Sequence, residues 1–367
     1  MHADVAILGT GPAGVAAALC LRRHAPHLCV TLWTGPHRLA SGGETLPPNL
    51  LPLLRSLGLD EAVRVRGFEP CFASAAAWGG PQPEANEFMF HPEGLGWHLD
   101  RDAFDAILLE AALARGVRLA EGIPEAWSRS EGRWQDSRGA GPRAVLDATG
   151  RRALFASRQG ARRLHDDRLV AVGIRCDFSK GGVLPGPLVE AVPFGWWYSC
   201  PSAQGGYLAC MTDADLAREM RLREPEGFRA ALKAAPFTAR RIGAAPPGET
   251  PRLRAADSGL LDAVTGDGWL AAGDAASTVD PLSSAGIGKA LRQGMVAGYA
   301  LADHLRGDAR ALPKYESWVR AEHLGFLEAR SEVYARERRW PSAPFWRRRT
   351  PIVPAAPSLE RETALAG

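Results

Sequence analysis

The alternation of apolar and polar positions gives the chain its first outline. Val5-Ala6-Ile7-Leu8 is an apolar run of strand length, Gly9-Thr10-Gly11-Pro12-Ala13-Gly14 follows at once, and Val15-Ala16-Ala17-Ala18-Leu19 favours helix. A second apolar run from Leu28 to Trp33 completes a strand, glycine turn, helix, strand unit. Far downstream, Trp269-Leu270-Ala271-Ala272 runs into Gly273-Asp274-Ala275-Ala276. After Asp280-Pro281-Leu282-Ser283-Ser284-Ala285 comes Gly286-Ile287-Gly288-Lys289-Ala290-Leu291, a second strand, turn and helix. Between the two, Val170 to Phe178 and Leu188 to Tyr198 are rich in valine and aromatics and predict strands, while residues 214–235 predict an amphipathic helix and its neighbour. Trp196, Trp197 and Tyr198 cannot all face one side of a strand, so two faces are engaged there.

A chain of 367 residues with 46% hydrophobic content has room for two or three domains and a sizeable core. The net charge of +3 gives no general electrostatic case for nucleic acid or an anionic membrane. The arginines from Arg336 to Arg349, interleaved with Trp340 and Trp346, therefore read as an arm packed on the body rather than a nucleic-acid patch. The six cysteines never form a C-x-x-C, and His24 and His27 lack a ligand frame, so no metal is expected and the thiols read as reduced. The run from Val5 to Leu21 has no basic lead and is broken by glycines, and no stretch offers the ~20 apolar residues of a membrane span. A soluble, cytoplasmic chain is the expectation. Only four lysines occur, none of them before Lys180.

The spacing of the first glycines has a physical meaning. Gly9 permits a tight turn, Gly11 lets the backbone approach a pyrophosphate, and Gly14 lets helix and strand pack closely, with phosphates at the positive helix end. Dinucleotide binding follows. One expected feature is missing: the second strand ends Leu32-Trp33-Thr34-Gly35 with no acidic residue for the adenosine ribose, leaving a Thr34 hydroxyl or Arg38 as alternatives. In the second block, Asp274 can hold sugar or sugar-alcohol hydroxyls, and the amides at Gly286 to Gly288 open a helix whose dipole favours negative charge.

Together, G-x-G-x-x-G at 9–14, Leu99-Asp100-Arg101-x-x-Phe104-Asp105, Asp147-Ala148-Thr149-Gly150 and the Gly273-Asp274-Ala275 block resemble the FAD-dependent family of aromatic hydroxylases, tryptophan halogenases and geranylgeranyl reductases. The resemblance implies a mixed α/β fold: a Rossmann-like FAD-binding domain of the glutathione-reductase type, an inserted β-sheet substrate domain and a helical C-terminal part. The expected boundaries are 1–70, 97–165 and 250–310 for the FAD domain, 71–96 and 166–249 for the substrate domain, 311–350 for the helical part and 351–367 for a tail. It further implies that Gly9, Gly11, Pro12, Ala13 and Gly14 bind the FAD pyrophosphate, that Arg101 reaches its phosphates and that Asp274 holds the ribityl chain. Pro281, Ser283, Gly286 and Ile287 would lie against the isoalloxazine.

The strings Gly43-Glu44-Thr45-Leu46-Pro47-Pro48, Gly96-Trp97-His98-Leu99, Gly195-Trp196-Trp197-Tyr198-Ser199 and Arg339-Trp340-Pro341 look like the flavoproteins that mature tryptophylquinone cofactors. That branch implies a monooxygenase acting through a flavin hydroperoxide on an electron-rich aromatic ring, with O2 as co-substrate and a tryptophan of a peptide or protein as substrate. Halogenases of the family are expected to carry the oxidised halogen on an active-site lysine in the N-terminal half, where this chain has none, and arginine stays protonated. A halogenase, a geranylgeranyl-reductase-like enzyme and a non-catalytic flavin-binding protein are the alternatives. A D-G motif for NADPH is not evident, so electrons come from NADH or NADPH bound loosely, or from an external flavin reductase.

For catalysis the candidates are Glu44, as a base toward an aromatic N–H or O–H or as a cap of the helix near Pro48, and His98, orienting the cofactor or shuttling protons. Trp196, Trp197 and Tyr198 are candidates for the substrate-pocket wall, with core packing as the alternative.

Overall fold

The computed structural model describes residues 3–35, 43–136, 141–178, 186–202, 206–242 and 249–349. Two large sheets dominate them. The first has the spatial order Thr265–Gly266, Trp269–Ala271, Ala144–Asp147, Val5–Leu8, Val30–Thr34, Arg118–Glu121, parallel throughout except for its short outer hairpin. Val5–Leu8 sits at its centre with every side chain buried, as a strand covered on both faces requires. The helices Pro12–His24 and Gly286–Leu305 pack on one face and on each other.

The second sheet runs Arg252–Ala255, Leu169–Cys176, Gly206–Asp213, Gly195–Cys200, Leu188–Val192, Ala73–Ala77, Glu84–Glu87 and is antiparallel except where Leu188–Val192 meets Ala73–Ala77. A small antiparallel sheet of Glu44–Leu46, Gly96–Leu99 and Glu69–Cys71 lies beside it. The helix Ala311–Arg336 then carries the chain from the first sheet toward the second, and Phe345 and Trp346 of a last short helix are buried there.

Two details differ from the sequence reading. The run Leu188 to Tyr198 is two strands, because the chain reverses at Pro193-Phe194 and Gly195 takes φ 152°, where a Cβ would sit 2.0 Å from the Met211 carbonyl oxygen. Arg252–Ala255, expected within the segment 250–310 of the first domain, pairs with Leu169–Cys176 and belongs to the second sheet. The tail 351–367 lies outside the described residues. Three arginines of the arm are paired: Arg348 and Arg349 hold Asp213, Arg348 also holds Asp215, and Arg339 holds Glu337.

Candidate functional site

The first glycine turn is shaped by exclusion. Gly9 has φ 120°, and a Cβ there would stand 2.3 Å from the Ala148 carbonyl oxygen; a Cβ on Gly14 would stand 2.1 Å from the Gly9 carbonyl oxygen. Gly11, by contrast, opens onto space with nothing within 4 Å. The helix Pro12–His24 begins there with no side-chain cap and no acidic residue in its first turn. Its free amides and positive dipole end face that opening, which is the chemistry a pyrophosphate needs. Pro12 and Ala13 are buried at the helix start, where proline loses no hydrogen bond.

The second turn is brought to the first by helix packing. A Cβ on Gly273 would meet the Ala13 Cβ at 2.8 Å; one on Gly294 would meet the Ala13 carbonyl oxygen at 2.1 Å, and one on Gly298 the Ala17 carbonyl oxygen at 2.7 Å. Gly294 and Gly298 thus let the two helices touch backbone to backbone. Sequence reasoning missed them, although their four-residue spacing within Gly286–Leu305 was visible. Gly286 again has nothing within 4 Å and its helix has no cap, so each of the two packed helices begins with a bare N-terminus. Pro281, Ser283 and Gly286 are exposed on the rim and Ile287 is half-buried.

Asp274 stands at the end of this second turn. Its Oδ1 accepts a hydrogen bond from Lys289 Nζ at 2.9 Å, and its side chain is 41% exposed. Burial raises its pKa, but Lys289, then Arg151 and Arg163, outweigh that and hold it below the usual carboxylate range. Arg163 also binds the Asp274 and Ala275 carbonyl oxygens, fixing the turn. Asp147, from the D-A-T-G string, has a different part: it is fully buried and accepts hydrogen bonds from Thr149 N and Oγ1, Phe155 N and Ala156 N. Its carboxylate ties the strand Ala144–Asp147 to the following turn. Burial pushes its pKa up, against those four bonds.

Arg101 begins the helix Arg101–Ala114, which Asp100 caps through Ala103 N at 3.1 Å. Its guanidinium holds Glu44 at 2.8 Å and Asp105 at 2.9 Å. Burial opposes its charge, yet the two carboxylates raise its pKa overall. Glu44 is therefore no helix cap: the turn Pro48–Leu50 has no side-chain cap, and Glu44 lies in the strand Glu44–Leu46. One of its carboxylate oxygens is thus already taken by the Arg101 guanidinium.

His98 is 8% exposed, with Nδ1 3.6 Å from Cys200 Sγ; burial chiefly lowers its pKa, so the ring is neutral near pH 7. In the neighbouring strand the Tyr198 hydroxyl donates to the Gly43 carbonyl at 2.5 Å. Strand alternation separates the aromatic triplet. Trp196 and Tyr198 share one face with Leu282 of the exposed rim, and Trp196 Nε1 donates to Tyr334 Oη at 3.0 Å, which donates to Asp280 Oδ2 at 2.8 Å. Trp197 is 0% exposed on the opposite face, edge-on to Phe228 at 5.0 Å, beneath the helices Ala214–Glu219 and Pro225–Leu232. It is a core residue, and the expectation that it walls a substrate pocket is corrected. Thr34 is half-buried and pairs with Glu121 of the adjacent strand; Arg38 lies outside the described residues.

Comparison with known proteins agrees with this geometry. The FAD binding domain family matches residues 2–157. A protein named as an FAD-dependent oxidoreductase, LodB of Marinomonas mediterranea, is 29% identical over 94% of this chain and 96% of its own. Other relatives are named as a tryptophan 2-halogenase of Chondromyces crocatus and a flavin-dependent halogenase of Armillaria mellea. The myxobacterial chondrochloren halogenase CndH superposes with a TM-score of 0.81 at 22% identity, over 96% of this chain and 87% of its own. The peptidyl tryptophan dihydroxylase QhpG superposes with a TM-score of 0.72 at 26% identity, over 95% of this chain and 79% of its own. Residues 2–157 thus match an FAD-binding domain, and the fold is like that of flavin-dependent halogenases and aromatic hydroxylases. The chain is an FAD-dependent enzyme. No helix of the described residues is long and apolar enough to cross a membrane.

Proposed function

We propose that this chain is an FAD-dependent monooxygenase that hydroxylates an electron-rich aromatic ring, the ring being a tryptophan carried by a peptide or protein. The observation that carries this reading is the chain-long likeness to a peptidyl tryptophan dihydroxylase, 26% identical over 95% of the chain, together with the absence of any lysine before Lys180. Bound and reduced, FAD supplies the activation of dioxygen; the chain's own residues bind, orient and exclude water. The bare N-termini at Gly11 and Gly286 take the pyrophosphate and the charge that the reduced ring carries. Asp274 takes the ribityl hydroxyls. The hydrogen-bonded line Trp196, Tyr334, Asp280 pins the turn Pro281–Ser283, so that the second sheet and the cofactor loop keep a fixed separation.

Asp147 already accepts four hydrogen bonds from its own chain and has no exposure, so its carboxylate is not available to a nicotinamide nucleotide. That favours electrons delivered by a separate flavin reductase over a built NADPH site.

Halogenation is the second reading, favoured by the halogenase relatives and by the superposition with CndH. One experiment separates the two. The holoprotein is supplied with a flavin reductase, NADH, labelled dioxygen and tryptophan-bearing peptides, indoles or phenols, with and without chloride or bromide, and products are read by mass spectrometry. Incorporation of labelled oxygen independent of halide is expected. A halide-dependent product, or no oxygen-dependent product from any aromatic, contradicts the proposal.

A further inference from the structure

We propose that Lys289 is a positioning residue for the cofactor: it grips one oxygen of Asp274 from behind and leaves the other aimed into the cleft to accept a hydroxyl of the FAD sugar-alcohol chain. This rests on the FAD reading of the cleft and goes beyond it, because it assigns a part to a lysine that contacts no open surface.

The placement of Lys289 is costly unless it has such a purpose. Its side chain is 4% exposed, and a buried ammonium without a partner would lose its charge. It also lies in the opening turn of Gly286–Leu305, near the positive end of the helix dipole, where a cation is destabilising. Helix stability therefore does not account for it. What it does make is a closed set of bonds: Nζ donates to Asp274 Oδ1 at 2.9 Å and to the Ser277 carbonyl oxygen. One turn further along, Gln293 Nε2 donates to Ser277 Oγ at 3.0 Å and to Glu322 Oε2 at 2.8 Å, sealing the back of the arrangement.

The front is open. Asp274 is 41% exposed, and its Oδ2 accepts no hydrogen bond from any described residue. The other cations facing this carboxylate are engaged elsewhere. Arg151, from the turn Gly150–Arg152, donates to Asp257; Arg163, from the strand Arg163–His165, donates to the backbone oxygens of Asp274 and Ala275. Lys289 is thus the one cation among the described residues that is hydrogen-bonded to the carboxylate. Burial alone would raise the Asp274 pKa, and Lys289 heads the charges that lower it. Removing the ammonium takes away the first of those charges and its hydrogen bond, which shifts the Asp274 pKa upward, so its charge-assisted bond to a hydroxyl weakens at a higher pH than in wild type.

The test is the dissociation constant of FAD, read by quenching of flavin fluorescence on the full chain from about pH 5 to about pH 9. Wild type, Lys289→Met, Lys289→Arg, Lys289→Gln, Asp274→Asn and the double variant Lys289→Met with Asp274→Asn are compared, alongside apoprotein melting temperatures. Wild type is expected to bind with little pH dependence. Lys289→Met is expected to bind ~10-fold more weakly or worse at neutral pH, with a loss that deepens as the pH falls, and Lys289→Arg to recover part of it. The double variant is expected to bind no more weakly than Asp274→Asn alone. Should Lys289→Met not fold, Lys289→Gln carries the test, since it keeps a donor to Ser277 while removing the charge. A folded Lys289→Met, or Lys289→Gln, with wild-type affinity and pH profile overturns the proposal, as does a double variant whose losses simply add. A folded wild type that takes up no FAD overturns the cofactor reading beneath it and the proposal with it, and is told apart because it fails before any variant is made.

Discussion

The two glycine turns and the junction between the sheets are built on opposite principles. At the turns, Gly9, Gly11, Gly14 and Gly286 act by what they lack: two leave no room for a side chain, two leave open space before a bare helix end. At the junction, Glu44, His98, Trp196, Tyr198 and Cys200 act through side chains drawn from strands far apart in the chain. The lesson is that backbone chemistry is written locally, within six consecutive residues, whereas side-chain chemistry at a junction depends on which strand lands opposite which.

The comparison breaks most readily at Gly9. Gly9→Ala places a Cβ 2.3 Å from the Ala148 carbonyl oxygen in a backbone conformation alanine resists, and is expected to cost about 4 kcal/mol and to abolish FAD uptake. Denaturant unfolding and flavin retention on gel filtration check both. Trp197→Ala is expected to cost about 3–5 kcal/mol while leaving product formation per folded, flavin-loaded molecule unchanged, since the ring lies on the far face of its strand. A change in substrate KM without a change in stability would return Trp197 to the pocket.

Tyr334→Phe removes the hydroxyl between Trp196 and Asp280 and strands both partners. A loss of about 1–3 kcal/mol is expected, with faster proteolysis or hydrogen exchange at the turn Pro281–Ser283. The smallest effect is expected at Glu44. Glu44→Gln keeps a hydrogen bond to Arg101, and kcat is expected to fall by less than tenfold, whereas loss of a general base removes about 100-fold or more.

These expectations follow where the sequence was readable and where it was not. The strand, turn and helix at Val5 to Leu19 were legible because hydrophobic period, glycine spacing and Pro12 all point the same way within one short segment. The second turn at Gly273 was legible for the same reason, but its contact with the first was not: Gly294 and Gly298 matter only because Ala13 and Ala17 lie against them, nearly three hundred residues earlier in the chain. Trp196-Trp197-Tyr198 showed that two faces were used, since alternation is local, but not which face met the Leu282 rim and which met Phe228. Glu44 misled for a related cause. Its helix-cap reading rested on neighbours in sequence, while its partner Arg101 arrives through pairing of Glu44–Leu46 with Gly96–Leu99. Lys289 was invisible as a functional residue because nothing in its own segment marks it as buried.

The most direct measurement is a titration of the purified, flavin-stripped chain with FAD, followed by flavin fluorescence and absorbance. Saturable uptake of one FAD per chain, lost in Gly9→Ala and weakened in Asp274→Asn, is predicted. A folded chain that takes up no FAD, or takes it up equally well with both turns altered, would contradict the claim that the two glycine turns form a single cofactor cradle.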